Sequence, residues 1–252
     1  MNKTIFITGA SSGFGRACAY RFAKHGYKLV LTARRTERLK EIEKDLSTKT
    51  NICSLTLDIR ERDAVREAIE ALPEPFSKID VLINNAGLAL GMEPAHECNL
   101  QDWEVMVDTN IKGLMYCTRC ILPQMVSRNR GHIINIGSIA GNWVYPYINV
   151  YGGTKAFVRQ FSLNLRADLH GTRVRVSLIE PGMAKSEFAA VRFKGDSDRA
   201  SKIFDQAEVL KPEDIAEVAF WITNLPDHMN VNSIEVMPTC QTWGPLVMTP
   251  KR

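Results

Sequence analysis

Lys3-Thr-Ile-Phe-Ile-Thr-Gly-Ala-Ser-Ser-Gly-Phe-Gly15 decides the fold, because it joins a buried strand to a helix through a glycine-rich turn. The β-branched and aromatic run Lys3–Thr8 is typical of a strand in a parallel sheet that is covered on both faces. The residues that follow predict a helix over Arg16–His25, ended by Gly26. A strand, a glycine turn and a helix in this order are typical of the first unit of an open α/β sheet.

The glycine turn itself predicts a site for a dinucleotide phosphate. Gly9 permits the tight turn, Gly13 lets the backbone approach a pyrophosphate, and Gly15 allows the helix to pack on the sheet. The N-terminus of the helix adds unpaired N–H groups and the positive end of its dipole. The expected cofactor-binding residues of this turn are Gly9, Ser11, Ser12, Gly13, Phe14 and Gly15.

The second predicted strand, Lys28–Ala33, ends in two arginines rather than in an acidic residue. An Asp or Glu at this place would bind the ribose hydroxyls of NAD. Arg34 and Arg35 instead favour a 2′-phosphate, since guanidinium groups bind phosphate in a bidentate manner. The alternative is a solvated basic loop before the polar helix Thr36–Leu46. The sequence therefore predicts NADP as the cofactor.

The rest of the chain predicts one domain, residues 1–252, with about seven parallel strands and helices on both faces. No repeat and no Gly/Ser linker divides it. A long helix is expected over Leu100–Met125, and a mobile lid or substrate loop over about 183–210. The other predicted strands are Ile52–Leu57, Ile79–Ile83, Gly131–Ser138, Val174–Ile179 and Ser233–Met237, and the other predicted helices are Arg62–Leu72, Tyr151–His170 and Pro212–Leu225.

Polar and glycine residues follow several of these strands. Asp58 ends the third strand, where it could reach an adenine amino group, and Asn85 and Gly87 follow the fourth. Ser138 ends the fifth strand, and Tyr151 follows thirteen residues later. Open parallel sheets bind ligands beyond the carboxyl ends of their strands. We therefore expect these residues to lie along one edge.

Tyr151-Gly-Gly-Thr-Lys155 places a phenol and an ammonium four residues apart at the start of a predicted helix. Residues i and i+4 share one face of a helix, so both side chains can reach one cavity. A charged Lys155 beside Tyr151 would lower the phenol's pKa from its usual value of about 10. Such a phenol could exchange a proton with a substrate hydroxyl or carbonyl. Alone the motif is weak, since an amphipathic helix with a half-buried Tyr has the same spacing.

Composition excludes several other classes of protein. The net charge is +4 without a dense basic stripe, so no nucleic-acid site is expected. No apolar run approaches 18 residues, so no membrane span is expected. No secretory signal precedes the six cysteines, which predicts reduced thiols in the cytoplasm. Cys117-Thr-Arg-Cys120 has the spacing of redox and zinc sites, but its surroundings predict a buried helix face. No metal site is expected.

Together these motifs resemble the short-chain dehydrogenase/reductase family over essentially the whole chain. They are Thr-Gly-x-x-x-Gly-x-Gly at 8–15, Asn-Asn-Ala-Gly at 84–87, Asn110, Ser138, Tyr-x-x-x-Lys at 151–155 and Pro-Gly at 181–182. The family carries Pro-Gly-x-x-x-Thr at the last motif, where this chain has Ser186. Serine keeps the hydroxyl, with slightly weaker packing against the nicotinamide amide. The resemblance extends the set of cofactor-binding residues to Ile59, Ala86, Tyr151, Lys155, Pro181, Gly182, Met183 and Ser186.

The resemblance also implies catalytic roles for four residues. Tyr151 would be the acid or base for the substrate hydroxyl, and Lys155 would lower its pKa and hold the nicotinamide ribose. Ser138 would stabilise the developing oxyanion, and Asn110 would position a water that links Lys155 to solvent. Hydride would pass directly between the substrate carbon and the nicotinamide, without a metal. Family members form dimers and tetramers, and a homotetramer is expected.

Tyr151–Thr172 and Val191–Gly195 resemble a subgroup, the NADP-dependent 3-hydroxy acid dehydrogenases, which also act on L-allo-threonine and serine. The implied substrate is a small 3-hydroxy acid bound by Ser138, Asn142, Tyr151 and Arg192. Arg192 is expected to bind the carboxylate, with Lys185 and Lys194 as alternatives and a solvated basic loop as the competing interpretation. A 3-oxoacyl-thioester or general ketone reductase stays open as the alternative activity. A dinucleotide-sensing regulator without catalysis is the alternative from another class.

Overall fold

Seven parallel strands form one sheet in the order β3-β2-β1-β4-β5-β6-β7, which confirms the predicted doubly wound α/β fold. The structure, a computed structural model, describes residues 3–196 and 207–243. The described strands are β1 Thr4–Thr8, β2 Lys28–Ala33, β3 Ile52–Thr56, β4 Val81–Asn84, β5 Gly131–Ile136, β6 Val174–Pro181 and β7 Ser233–Val236. The order reverses beside β1, so β1 and β4 flank the crevice that such sheets use for ligands.

Helices cover both faces of the sheet. They are α1 Gly13–Ala23, α2 Thr36–Leu46, α3 Arg62–Glu70, α4 Leu100–Val107, α5 Leu114–Ser127, α6 Asn149–Asp168, α7 Phe188–Arg192 and α8 Pro212–Thr223. Side chains alternate along each strand, so Ile5 and Ile7 pack with α1, α2 and α8 whereas Phe6 packs with α3, α5 and α6. Both layers are fully buried, which is why the strands contain almost continuous apolar runs.

The single long helix predicted over Leu100–Met125 is not continuous. Its middle, Asp108–Gly113, is π-helical and separates α4 from α5. Asn110 lies in this wider turn and is buried, with 2% of its surface exposed. π-Helical turns of this kind are short and occur frequently at functional sites. A second difference is at α1, which begins at Gly13 rather than at Arg16, so that the last two glycines of the turn belong to the helix.

The expected lid is described only in part. Its first half contains the short helix α7, and Ala184 forms an isolated parallel bridge with Leu210 after the segment. Residues 197–206 of the predicted lid and the end of the chain from 244 lie outside the described residues. None of the described helices is both long enough and apolar enough to cross a membrane.

Candidate active site

One cavity of about 820 Å³ lies at the carboxyl ends of the strands. It is lined by every predicted site residue except Gly15, Asn110 and Asn142. The lining residues come from the glycine turn, the ends of β2, β4, β5 and β6, the start of α6 and helix α7. Residues distant in sequence therefore share one elongated site, as the strand-end argument predicts.

The glycine turn has the shape that a bound dinucleotide requires. Gly9 adopts φ +67°, and a Cβ at this position would lie 2.9 Å from the Ala86 Cα. Asn85 fixes the turn from the next strand, because its Nδ2 donates to the Thr8 carbonyl at 2.8 Å. A Cβ on Gly13 would face the cavity, with only Ser186 within 4 Å. Backbone is thus exposed to a ligand at Gly13, which fits the close approach of a pyrophosphate.

Two buried polar atoms of the cavity lining have no hydrogen-bond partner among the described residues. They are Thr32 Oγ1, in β2, and Gln241 Nε2, in the segment after β7. The other amide atom of Gln241 accepts a hydrogen bond from Met183 N at 2.8 Å, which fixes the side chain. Buried polar groups are nearly always paired, so unpaired polar atoms on residues that line a cavity fit a ligand with polar groups along its length. A dinucleotide is such a ligand.

Arg35 lies at the end of the cavity that the sequence assigns to a phosphate. Its guanidinium donates from Nη2 to Ser12 Oγ at 2.7 Å and from Nε to Ser11 Oγ at 3.1 Å. A third bond, from Nη1, goes to Glu187 Oε2 at 2.8 Å. Arg38, one turn into α2, donates to the other oxygen of Glu187. The two guanidinium groups thus already hold an oxyanion, the carboxylate of Glu187, between them.

Arg38 and Glu187 were not predicted as site residues. Arg38 follows Arg35 at a spacing of three in a helix, so the two side chains share a face, and this spacing is visible in the sequence. Glu187 has no such signal, because its position depends on how the loop after β6 returns to β2. Burial acts to raise the pKa of the Glu187 carboxyl, but the hydrogen bonds from Arg35 and Arg38 outweigh it and lower the pKa.

Asp58 lies in the cavity, at the position expected for an adenine contact. Burial is the largest single effect and acts to raise the pKa of its carboxyl, but the hydrogen bonds from Arg60 and the charges of Arg60 and Arg34 together lower the pKa. Arg60 donates to Asp58 Oδ2 from Nη2 at 2.6 Å and also from its backbone N–H to Oδ1 at 3.1 Å. Asp58 is therefore a fixed, ionised hydrogen-bond acceptor beside the third strand.

Tyr151 and Ser138 form a hydrogen-bonded pair at the opposite end of the cavity. Ser138 follows β5, and its Oγ also accepts a hydrogen bond from Ala140 N at 3.1 Å, which fixes the hydroxyl. The Tyr151 ring packs against Phe188 of α7, with 5.5 Å between ring centroids. Tyr151 is only 8% exposed. The phenol and the hydroxyl are thus held together in an apolar environment, where both can bond one substrate oxygen.

The lowered phenol pKa that the sequence suggested is wrong for this structure. Burial is the largest effect and raises the pKa of Tyr151 to about 12, against the opposite effect of the Ser138 hydrogen bond. Burial also lowers the pKa of Lys155 to about 8. The Lys155 ammonium donates to the Ile136 carbonyl at 2.8 Å and lies 5.9 Å from the Tyr151 ring centroid. A sequence shows the spacing of the two residues but not the depth at which they are buried.

Asn110 lies beneath the cavity rather than in its lining. Its Oδ1 accepts a hydrogen bond from Leu88 N at 2.9 Å, and its Nδ2 donates to the Leu88 carbonyl and to Thr154 Oγ1. A Cβ on Gly87 would lie 3.2 Å from Asn110 Oδ1 and 3.5 Å from Lys155 Nζ. Asn110 therefore joins the loop after β4 to the helix that carries Tyr151 and Lys155. Its proposed water contact stays a prediction.

The structure brings Arg192 to the cavity but leaves Asn142 outside it. The Asn142 amide donates to Glu180 Oε1 at 2.9 Å, and the residue does not line the cavity, so the structure gives no support to Asn142 as a substrate ligand. Arg192 donates from Nε to the Gly91 carbonyl at 3.1 Å and from Nη2 to the Tyr147 carbonyl at 3.3 Å. Its positive charge also acts to lower the pKa of Tyr151. Arg192 is therefore held at the catalytic end of the cavity.

The cysteine spacing at Cys117 and Cys120 gives no second site. Cys117 is fully buried in α5, and burial raises the pKa of its thiol to about 12. All six cysteines are unpaired. Within residues 3–196 and 207–243, no group of three or more His, Cys, Asp or Glu side chains has the arrangement of a metal site.

Comparisons with known proteins agree with this geometry. The family model described as short chain dehydrogenase matches residues 3–197. The NADP-dependent 3-hydroxy acid dehydrogenase YdfG of Salmonella typhi is 54% identical over 243 residues, which cover 96% of this chain and 97% of that protein. Sulfoacetaldehyde reductase 2 of Chromohalobacter salexigens is 49% identical over 97% of both chains.

A solved structure, the closed form of serine dehydrogenase complexed with NADP⁺, is 52% identical and superposes with a TM-score of 0.93. The superposition covers 98% of this chain and 100% of that one. The fold is thus shared with a protein that was solved with a dinucleotide. With the family model matching most of its length, the chain belongs to the short chain dehydrogenase family.

Proposed function

We propose that the protein is an NADP-dependent oxidoreductase that transfers a hydride between NADP(H) and the hydroxyl-bearing carbon of a small 3-hydroxy acid. The observation that carries the proposal is one cavity with two chemically different ends. Two guanidinium groups that hold an oxyanion lie at one end, and the Tyr151–Ser138 pair lies at the other. Relatives with about half of their residues identical are NADP-dependent or were solved with NADP⁺.

The residues present fit NADP along the whole cavity. Gly9, Gly13 and Ser12 would hold the pyrophosphate, Arg35 and Arg38 the 2′-phosphate, and Asp58 the adenine. At the other end, Lys155 would bind the ribose hydroxyls, and Gln241 and Ser186 would bind the nicotinamide amide. When bound, NADP supplies the hydride acceptor or donor.

Tyr151 exchanges the substrate proton. In the oxidative direction its phenolate accepts the hydroxyl proton, and in the reductive direction the phenol donates a proton to the developing alkoxide. Ser138 donates a hydrogen bond to the same oxygen and stabilises its negative charge in the transition state. Lys155, held by the Ile136 carbonyl, presents its ammonium on the ribose side of Tyr151. The Ser138 hydrogen bond and the charge of Arg192 act to favour the phenolate, against the larger opposing effect of burial.

Arg192 gives the site its preference for an anionic substrate. The guanidinium is positioned by two backbone carbonyls and acts electrostatically on Tyr151, so a substrate bonded to Tyr151 would have a positive charge close to it. A carboxylate two carbons from that carbon would bind there as an ion pair. The relative that reduces sulfoacetaldehyde is named for another small anionic substrate, which agrees with a cationic group at this place.

A 3-oxoacyl-thioester or general ketone reductase of the same family is the alternative activity. It would use the same four catalytic residues, and its substrate would lack a free carboxylate beside the carbonyl. Comparison of free acids with coenzyme A thioesters separates the two. The alternative from another class, a regulator that senses a dinucleotide without catalysis, is disfavoured because Asn110, Ser138, Tyr151 and Lys155 are all present.

The assay that tests the proposal follows reduced nicotinamide absorbance with L-allo-threonine, L-serine and 3-hydroxypropionate, each with NADP⁺ and NAD⁺. We expect turnover with NADP⁺ well ahead of NAD⁺. Arg192→Gln should raise KM for these acids at least ~10-fold while changing the rate with an uncharged ketone little. If the protein binds the cofactor and turns over a thioester but none of the acids, the 3-hydroxy acid proposal is wrong and the thioester reductase is the activity.

We further propose a cytoplasmic homotetramer. Free cysteines fit a reducing compartment. Leu100 of α4 and Met115 of α5 are large apolar side chains that are 65% and 39% exposed, on helices expected at a subunit contact. Light scattering of the purified protein tests the assembly, and a monomer mass would refute it.

A further inference from the structure

A basic cleft of about 300 Å³ lies at the end of the sheet opposite to the active site. Lys3, Arg130 and Arg173 each directly precede a strand, namely β1, β5 and β6. The strands are parallel and lie in the order β1-β4-β5-β6, so these three residues lie at the amino-terminal edge of the sheet, with β4 between β1 and β5. Arg128 and Arg175 also line the cleft, which has five cationic side chains against two carboxylates, Asp80 and Asp227. The proposed catalytic mechanism uses none of them.

Three cations of the cleft, Lys3, Arg130 and Arg173, form no side-chain hydrogen bond and no ion pair with another residue of the described ranges. Burial lowers the pKa of Lys3, and the positive charges of Arg130 and Arg175 act in the same direction, whereas the carboxylates of Asp227 and Asp80 act to raise it. Asp80 also accepts a hydrogen bond from Thr4 N at 2.9 Å. The two carboxylates therefore offset only part of the positive charge of the five cations.

Arg175 adds a buried positive charge that interacts with the carboxylate of Asp227 without forming a direct ion pair. Only 7% of the residue is exposed. Its guanidinium donates to the carbonyls of Ile222 and Thr223 at 3.0 Å, at the end of α8, and no carboxylate within the described residues forms an ion pair with it. Buried charges in proteins are normally paired. The cleft in front of Arg175 is where a counter-anion would lie.

His132 supplies an unpaired hydrogen-bonding atom to the same cleft. The residue is 2% exposed, lines the cleft and lies in β5 directly beside Arg175 of β6. Its Nε2 is 2.8 Å from Ser177 Oγ, whereas its Nδ1 has no partner among the described residues. If the Ser177 hydroxyl donates to Nε2, the neutral imidazole carries its hydrogen on Nδ1. That N–H group is then a buried donor without a partner beside the cleft.

We propose that this cleft binds a small multivalent oxyanion of the phosphate class, held by Lys3, Arg130 and Arg173, with Arg175 as the buried charge. Guanidinium groups bind phosphate in a bidentate manner, and a doubly charged anion offsets the repulsion among the cations. The cleft volume fits a phosphate or pyrophosphate group rather than a large metabolite. An acidic carrier protein bound here would hold its thioester at the end of the sheet opposite to the active site. The cleft is therefore not a binding site for a carrier-bound substrate.

Isothermal titration with pyrophosphate tests the proposal at constant ionic strength. The protein is first saturated with NADP⁺, so that pyrophosphate cannot report on the cofactor site. We expect one saturable site per chain in the wild type. The double variant Lys3→Gln/Arg130→Gln should bind pyrophosphate at least ~10-fold more weakly, since two charge-assisted contacts are removed. The variant Arg173→Gln should weaken binding in the same direction.

A control variant removes two positive charges, as the test variant does, but at positions outside the cleft. Lys40→Gln/Arg62→Gln replaces two exposed cations of α2 and α3 that do not line the cleft, and it should bind pyrophosphate as the wild type does. Equal binding by the two double variants, or no saturable heat in the wild type, overturns the proposal. A short DNA duplex is the second probe. If the duplex binds through Lys3 and Arg130 but pyrophosphate does not, the small-anion proposal is wrong and the surface is one for nucleic acid.

The variants separate this site from the proposed function. Arg35→Gln should leave pyrophosphate binding intact while weakening NADP⁺. Lys3→Gln/Arg130→Gln should keep the turnover of the wild type, because neither side chain lines the catalytic cavity. Loss of pyrophosphate binding in Arg35→Gln would place the anion in the cofactor cavity and refute a second site.

Discussion

Arg35 donates a hydrogen bond from Nη1 to Oε2 of Glu187 at 2.8 Å, which joins the end of β2 to the loop before α7. Both side chains are 41% exposed, so this ion pair contributes about 0–1 kcal/mol to folding. Its importance lies in position, because the proposed 2′-phosphate requires the same guanidinium. The lid is therefore connected to the cofactor-binding residues through a contact that a phosphate can replace.

Arg35→Gln should weaken NADP⁺ about 10–100-fold while changing the affinity for NAD⁺ little, because the lost contact is to the 2′-phosphate alone. Fluorescence titration of the two cofactors measures the ratio. Equal weakening of both would mean that Arg35 acts through the glycine turn, where it bonds Ser11 and Ser12.

Glu187→Gln should change the affinity for NADP⁺ in the opposite direction, toward tighter binding. The carboxylate neutralises Arg35 and Arg38, so its removal leaves both guanidinium groups available to the phosphate. We expect NADP⁺ to bind several-fold more tightly, with NAD⁺ unchanged and a steeper dependence of NADP⁺ affinity on salt. Weaker binding of NADP⁺ by this variant would contradict the proposal that Glu187 and the 2′-phosphate compete for the same guanidinium groups.

Tyr151→Phe should keep cofactor binding and lose at least ~100-fold in kcat, because the variant has no proton to exchange. Ser138→Ala is the companion variant and should lose turnover while keeping the ring of Tyr151 in place. Since burial raises the pKa of Tyr151 to about 12, the phenolate fraction grows with pH, and oxidation should accelerate from pH 7 to pH 10. A wild-type oxidation rate that falls over this range would argue against the phenolate as the base.

Lys155→Met tests the buried ammonium through stability. The folded-state pKa of Lys155 is lowered to about 8, from 10.5, so between these values the unfolded chain binds more protons. The stability of the wild type should therefore rise with pH relative to the variant, by about 2 kcal/mol between pH 6.5 and pH 9.5. Urea unfolding of the cofactor-free proteins at both pH values measures the difference. A difference that is independent of pH would show that Lys155 keeps its ordinary pKa.

Gly9→Ala should destabilise the protein by about 1–3 kcal/mol and weaken the cofactor, since φ is +67° and the new Cβ would lie 2.9 Å from the Ala86 backbone. Gly153→Ala is a matched control in α6, where a Cβ would meet nothing within 4 Å. Alanine is the better helix former, so the control should be stabilised by up to ~1 kcal/mol. Thermal melts of both variants give the comparison, and similar losses in the two would show that the turn tolerates a side chain.

The sequence predicts the strands well and the side-chain contacts less well. β1, β2 and β5 lie where the apolar runs place them, because a parallel strand buried on both faces needs such a run. The sequence does not predict the π-helical break at Asp108–Gly113, because the apolar pattern continues through it. Glu187 and Asn142 depend on how distant segments meet, and spacing carries no information about that. The pKa of Tyr151 depends on burial depth, which a motif does not contain.

The π-helical segment has a consequence for the helical phase of the chain. One extra residue in a turn rotates everything after it by about 100° relative to an uninterrupted α-helix. Cys117, Ile121 and Met125 of α5 are fully buried with the inserted residue present. Deletion of one residue within 108–113 would therefore turn this stripe away from the sheet, whereas a deletion near the exposed end of α4 would not. The π-helical turn therefore sets two orientations together: that of Asn110 beneath the active site and that of the buried face of α5 against the sheet.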